Sequence, residues 1–253
     1  MSRISFLLIL IIVIASLPII NNWLSSRSQM MSDDYIGERL DNYISKNFDK
    51  VVKTFQEQSN KSNQTARDNV AKSKISQYKN EIFDLTYPHS GNKNGSVMVV
   101  GFFDYSCGYC KTIKNDIKQL INDGKVKYIF RDAPMLGDNS LKVAKSALAV
   151  HFIDKEKYFD FHYAALNHKG AFSDSDILDI AQSIGINEDD FNNSIKNNAG
   201  KIGEMINSSK LLVRDLGVGS VPFLIIGDSL FVGATDLSVL RRKVDELSNK
   251  QNE

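Results

Sequence analysis

The run from Val97 to Phe103 (Val-Met-Val-Val-Gly-Phe-Phe) is almost continuously apolar, and it limits the available folds more than any other segment of this chain. It is short, rich in branched and aromatic side chains, and preceded by glycine and polar residues, which is the pattern of a buried central strand. Residues 110 to 122 follow with helical spacing, Gly124 closes that helix, and Val126 to Phe130 reads as a second strand. The order is strand, helix, strand. From Asp138 to about Asn198 the chain gives several short helical patterns separated by Gly170, Gly185 and polar clusters, with no convincing strand. Lys201 to Leu216 is a further helix, Val221 to Ile226 and Leu230 to Val232 are strands around Gly227-Asp228, and Leu237 to Leu247 is a final helix. The fold class is α/β.

Ahead of this lies a different region. Residues 38 to 87 contain neither glycine nor proline, and Ile36, Leu40, Ile44, Phe48, Val51 and Phe55 recur at steps of three and four on an otherwise charged helix. The polar stretch Ser59 to Thr65 interrupts that stripe before Val70, Ile75, Tyr78, Ile82 and Leu85 resume it. The pattern predicts two helices, with continuity between them left open. Their two apolar stripes need a partner, either the chain's own globular part or a second copy, so the region is a candidate oligomerisation stalk.

At the very start, Met-Ser-Arg precedes an apolar run from Ile4 to Ile20 broken only by Ser5, Ser16 and Pro18, the layout of an export signal. The run is long for a cleaved signal core and short for a membrane span of about 20 residues, and Trp23 suits a bilayer interface. Residues 1–22 are therefore a signal peptide or an uncleaved membrane anchor, and in both cases the rest of the chain is expected outside the cytosol. With 31 Lys+Arg against 30 Asp+Glu, no global pull on nucleic acid follows.

Chemistry concentrates at Cys107-Gly108-Tyr109-Cys110, where a buried strand gives way to a helix. A thiolate at a helix N-terminus can have its pKa lowered from about 8.5 to roughly 3.5–7.5, becoming both an attacking and a leaving group near neutral pH. Cys107 is the expected nucleophile. Cys110 lies one helical turn behind it, placed to close a disulfide or break a mixed one, and is the expected resolving thiol. The chain has only these two cysteines, so a zinc site would have to draw further ligands from four scattered histidines or from carboxylates. An inert disulfide closing so short a loop would constrain little unfolded-chain entropy. Soft thiolates also suit Cu(I), so a copper- or zinc-binding envelope protein is the alternative reading.

Two motifs in order carry a resemblance: Phe102-Phe103-Asp104-Tyr105-Ser106-Cys107-Gly108-Tyr109-Cys110-Lys111 and, far downstream, Gly217-Val218-Gly219-Ser220-Val221-Pro222-Phe223. They resemble the thioredoxin-fold thiol:disulfide oxidoreductases of the DsbA type, a family that includes exported isomerase and copper-tolerance relatives, over roughly residues 85 to 248. The resemblance implies a thioredoxin fold with a helical insertion at about 137–198, so that 29–87 is an N-terminal helical region and 88–250 the thioredoxin-like domain. It implies a cis Val221-Pro222 bond whose loop faces the cysteines, with Val221 offering backbone groups to an extended substrate and Pro222 holding the turn. Gly108 and Tyr109 form the active-site turn. No bound cofactor and no metal are implied. The implied partners are protein substrates with thiols or disulfides, a membrane redox partner and a second copy of the chain through the N-terminal helices; the implied location is the periplasm or cell envelope. The direction is divided: Gly-Tyr between the cysteines resembles the isomerases, whereas Val before Pro222 resembles the oxidases.

The chain departs from the family at Gly101, where many members carry a buried acid thought to move protons for the second thiol. Asp104 is not a simple substitute and is expected to cap or buttress the turn; proton transfer from Cys110 is then expected to use water. His162, in Tyr158-Phe159-Asp160-Phe161-His162-Tyr163, is expected to pack rather than to catalyse. Lys111 is expected on a solvated helix face, and His89, His151 and His168 show no spacing for a shared metal.

Overall fold

The computed structural model describes residues 15–26 and 33–250. The first part of the apolar run, through residue 14, lies outside the described residues, and the export expectation rests partly on it. Two compact units are present, Met1–Thr65 and Ala66–Glu253. In the first, residues 15–26 form helix α1, and α2 (Asp33–Lys46) is followed by the start of α3 (Phe48–Gln77). Ile36, Leu40, Phe48 and Phe55 are all exposed on these helices. Among the described residues, no helix is long and apolar enough to cross a membrane.

The continuity left open at Ser59–Thr65 is answered: α3 runs straight through that stretch, and the break falls at Asn47. A polar stretch without glycine or proline weakens an apolar stripe without costing the backbone its ladder, and Thr65 Oγ1 turns back to the Lys61 carbonyl at 2.9 Å.

The second unit holds a five-stranded sheet in the order β1-β3-β2-β4-β5. Its strands are β1 (His89–Gly91), β2 (Val97–Phe103), β3 (Val126–Asp132), β4 (Phe223–Ile226) and β5 (Ser229–Val232). β2 and β3 are parallel, joined through α5 (Gly108–Asn122), and every other pairing is antiparallel. The strand β1 was not anticipated; His-Ser-Gly shows no alternation, and pairing with β3 (His89 opposite Ile129) is what makes it a strand. Between β3 and β4 come α6 (Asp138–Ile153), α7 (Lys157–Asn167), α8 (Asp174–Ser183), α9 (Glu188–Asn197) and α10 (Ala199–Leu216), and α11 (Leu237–Lys250) follows β5. The helical insertion is thus seen as expected, with Ser194 Oγ on α9 donating to the Ala149 carbonyl of α6 at 2.8 Å.

Because side chains alternate along a strand, the sheet has two different faces. One carries Phe102 stacked on Phe223 at 4.3 Å and the buried Arg131. The Arg131 guanidinium lies 3.5 Å from the centre of the Tyr87 ring, with Nη1 donating to the Glu81 carbonyl at 3.1 Å and Nη2 to Ser208 Oγ at 3.0 Å. Burial pulls its pKa down to about 10, still far above neutrality. The other face carries Gly101, Phe103, Tyr128 and Phe130, and it meets α5 and α7 around the cysteines.

Candidate active site

β2 ends at Phe103, and the chain must reverse into α5 within a few residues. Asp104 makes that reversal rigid. Its buried carboxylate accepts from the Ser106 N–H and Ser140 Oγ at 2.7 Å each on one oxygen, and from the N–H groups of Met135 and Leu136 at 2.7 and 2.9 Å on the other. The Asp104 carbonyl in turn accepts from the Cys107 N–H at 3.1 Å. The buttress anticipated from the sequence is present, and it ties the turn to the entry of α6 as well.

Cys107 is the N-cap of α5, in an extended conformation with φ −78° and ψ 118°. Gly108 and Tyr109 are the first residues of the helix itself, and Tyr109 is 70% exposed. Both cysteines are thiols. The Cys107 Sγ donates to the Val221 carbonyl at 3.4 Å, and the Val221-Pro222 peptide is cis. Gly217 allows this loop to form: it ends α10 with φ 74°, in the left-handed region that disfavours a β-carbon. The structure therefore brings together Cys107, Cys110, Val221 and Pro222 from two motifs separated by the whole helical insertion.

The two thiols are electrostatically unlike. A hydrogen bond from Cys110, together with the backbone N–H groups of Cys110 and Tyr109, holds the Cys107 thiol down to about 6 against the opposing effect of burial. Cys110, only 2% exposed, is pushed well above the ordinary thiol value by that same hydrogen bond and by burial. The arrangement supplies one sulfur at the turn, 6% exposed and ionised near neutral pH, and one protonated sulfur held behind it.

His162 lies at 4.3 Å from the Phe103 ring and 4.9 Å from Phe130, and its Nδ1 meets the Tyr105 hydroxyl at 3.2 Å. Burial lowers its pKa to about 3, so it is neutral at physiological pH and packs, as the sequence suggested. Lys111 differs from expectation: its ammonium donates to the His168 carbonyl at 2.8 Å and sits 5.6 Å from the Phe172 ring centre, pinning α5 to the loop after α7. A lysine has enough reach to leave a helix face and find a carbonyl, which periodicity cannot reveal. Among the described residues, no group of three or more His, Cys, Asp or Glu is placed to hold a metal ion.

Sequence reasoning missed Tyr128. Its phenol oxygen occupies space beside Gly101, where an added β-carbon would fall 1.7 Å away from it. The apolar strand around it gave no reason to single out one tyrosine, although a glycine facing a large neighbour in the middle of a central strand is the available signal.

A sequence model of the thioredoxin family matches residues 83–246. The crystal structure of the thiol-disulfide exchange protein alpha-DsbA2 from Wolbachia pipientis is 79% identical, with a TM-score of 0.71 over 72% of this chain and 98% of that one. A thioredoxin-like oxidoreductase from Silicibacter pomeroyi is 30% identical, with a TM-score of 0.62 over 67% of this chain and 97% of its own. Disulfide bond formation protein D of Bacillus subtilis is 34% identical over 80 residues, 30% of this chain. The chain spans 36% of that protein's length, and 17% of the length of another curated relative, the Na(+)/H(+) antiporter NhaA 1 of Salinispora arenicola.

Proposed function

The chain belongs to the thioredoxin family, and from that premise we propose that it is an exported thiol:disulfide oxidoreductase that forms or isomerises disulfide bonds in envelope proteins through Cys107 and Cys110. The observation that carries this reading is the Cys107 sulfur, set at the N-terminus of α5 and turned toward the Val221 carbonyl at 3.4 Å.

In the reducing direction, the Cys107 thiolate attacks one sulfur of a substrate disulfide. A Cys107–substrate bond forms, and the other substrate sulfur leaves with the electron pair. Cys110 then loses its proton and attacks Cys107, so that the intramolecular disulfide forms and the substrate departs as a dithiol. Oxidation of a substrate is the reverse, and isomerisation stops at the mixed disulfide while the freed substrate thiolate attacks elsewhere. Ionisation of Cys107 removes the hydrogen it donates to Val221, leaving that carbonyl ready to accept from the backbone of an extended substrate. Tyr109, exposed on the turn between the cysteines, supplies apolar surface next to Cys107.

The test is alkylation of the reduced protein against pH. Because the Cys107 value is depressed, its thiolate is present above about pH 6 and is lost as pH falls through that value. The rate should be half-maximal near pH 6 and roughly tenfold below its plateau at pH 5, with all early label on Cys107. A midpoint near the ordinary thiol value of about 8.5 would contradict the assignment.

Export to the periplasm or cell envelope is supported by the N-terminal charge and apolar run, and a membrane redox partner would then restore the dithiol or the disulfide. Within residues 29–87, the part upstream of Ala66 is proposed as a helical stalk that joins copies of the chain, ahead of the thioredoxin-like domain of 88–250; the exposure of Ile36, Leu40, Phe48 and Phe55 supports this. Light scattering of the chain without residues 1–22 should find an oligomer that Leu40→Asp with Phe48→Asp converts to a monomer. A native protein already monomeric at micromolar concentration would refute the stalk and favour an oxidase over an isomerase.

A further inference from the structure

Resolution of a mixed disulfide requires Cys110 to lose a proton from inside the core, and the thiol's surroundings narrow the ways out. Cys110 opens onto a cavity of about 20 Å³, room for about one water, shared by residues from five elements. The ionisable side chains facing it, besides Cys110 itself, are Lys114 on the same helix, His162 and Tyr163 on α7, and Tyr128 on β3; Cys107 lies next to Cys110. Most of these are engaged. Lys114 Nζ donates to the Lys111 carbonyl at 3.0 Å, Tyr163 donates to Asn115 Oδ1, and His162 uses Nδ1 against Tyr105. Cys107 is the atom to be attacked, so it cannot be the destination. Tyr128 is 4% exposed, and its hydroxyl makes no hydrogen bond among the described residues. A hydroxyl with no protein partner that opens onto a water-sized cavity is completed by a water. Gly101 is what lets it stand there, since any β-carbon at that position would collide with the phenol.

We propose that the Tyr128 hydroxyl is the positioning group that holds one water against Cys110, and that this water carries the resolving thiol's proton out of the core. The inference deepens the exchange reading above and rests on it. As the Cys110 S–H bond breaks, its proton passes to the water. The water, oriented by the phenol, gives up one of its own hydrogens to solvent at the mouth of the cavity, so that neither water nor phenol changes net charge. The Cys110 sulfur forms the bond to Cys107, the Cys107–substrate bond breaks, and the substrate sulfur leaves with the electron pair and is protonated from solvent. No outside oxidant is needed. Burial and the neighbouring Cys110 sulfur both push the phenol above its ordinary pKa, so it stays neutral and orients the water rather than acting as a base.

The experiment is stopped-flow reaction of the full-length reduced protein with a chromophoric aromatic disulfide, which releases one coloured thiolate when Cys107 attacks and a second when Cys110 resolves. Tyr128→Phe keeps the ring and removes only the oxygen. The first phase should be unchanged, and the second should slow about tenfold or more at pH 7, with its pH midpoint moved upward. A second phase with native rate and midpoint would overturn the proposal. Absence of the first phase in the native protein would instead overturn the exchange reading, and the relay with it. Should the variant fold poorly, the native protein answers alone. The second-phase rate, measured across mixtures of light and heavy water, should curve with deuterium fraction because more than one proton is in flight, and a straight line would refute the relay.

Discussion

Cys110→Ala is expected to convert the protein into a trap. Cys107, whose thiol is held near 6 in part by a hydrogen bond from Cys110, still has the backbone N–H groups of Cys110 and Tyr109 to stabilise its thiolate, so attack on a substrate survives the substitution, though at a somewhat higher pH. Nothing then displaces the adduct. Substrate proteins should accumulate on Cys107 as reducible mixed disulfides, visible as shifted bands in non-reducing gels, while multiple-turnover reduction falls by at least about a hundredfold, as expected when one member of a paired mechanism is removed. Cys107→Ala should trap little, because the remaining thiol is buried and pushed up in pKa. Equal trapping by both variants would reverse or dissolve the roles proposed for the two sulfurs.

The largest effect on stability is expected at Asp104. Asp104→Ala strands the N–H groups of Ser106, Met135 and Leu136 and the hydroxyl of Ser140, all of which now end on one carboxylate. Hydrogen bonds to a charged group contribute about 1.5–3 kcal/mol each but do not add fully, so a loss of about 3–5 kcal/mol is expected. For a chain of this size that corresponds to a fall in Tm of roughly 10 °C. Asp104→Asn should recover only part of it, since an amide has one acceptor oxygen where two are used. Urea denaturation that places both variants within about 1 kcal/mol of the native protein would show that this network is not holding the turn.

Much of this was legible because the chemistry of local segments is strong. The apolar run at β2, the glycine closing α5 and the paired cysteines each carry their own signal, and together they fix strand, turn and helix. The proline loop was readable as a motif, but its meeting with Cys107 depends on a crossover through the whole insertion, which no local pattern encodes. Asp104 was legible as a support for its own turn; that Met135, Leu136 and Ser140 also converge on it is a property of one distant segment, the loop into α6. Tyr128 was hidden for the same reason, since its importance comes from facing Gly101 and Cys110 across a cavity. The continuity of α3 stayed open because a loss of amphipathicity does not by itself say whether a helix ends.

The guanidinium of Arg131 fixes where the chain can be cut and rejoined. Its hydrogen bond to Glu81 and its stacking on Tyr87 make the stretch before Pro88 a structural part of the sheet's far side, together with buried Ile75 and Ile82. A recombination seam placed at the proline would take away the carbonyl and the ring that accompany a buried cation, which is among the more damaging losses a core can suffer. A seam near Ala66, inside an exposed polar helix, leaves them in place. Exchange of the helices upstream of that residue, by evolution or by design, is therefore expected to leave this core intact and to preserve the helical turns that follow it.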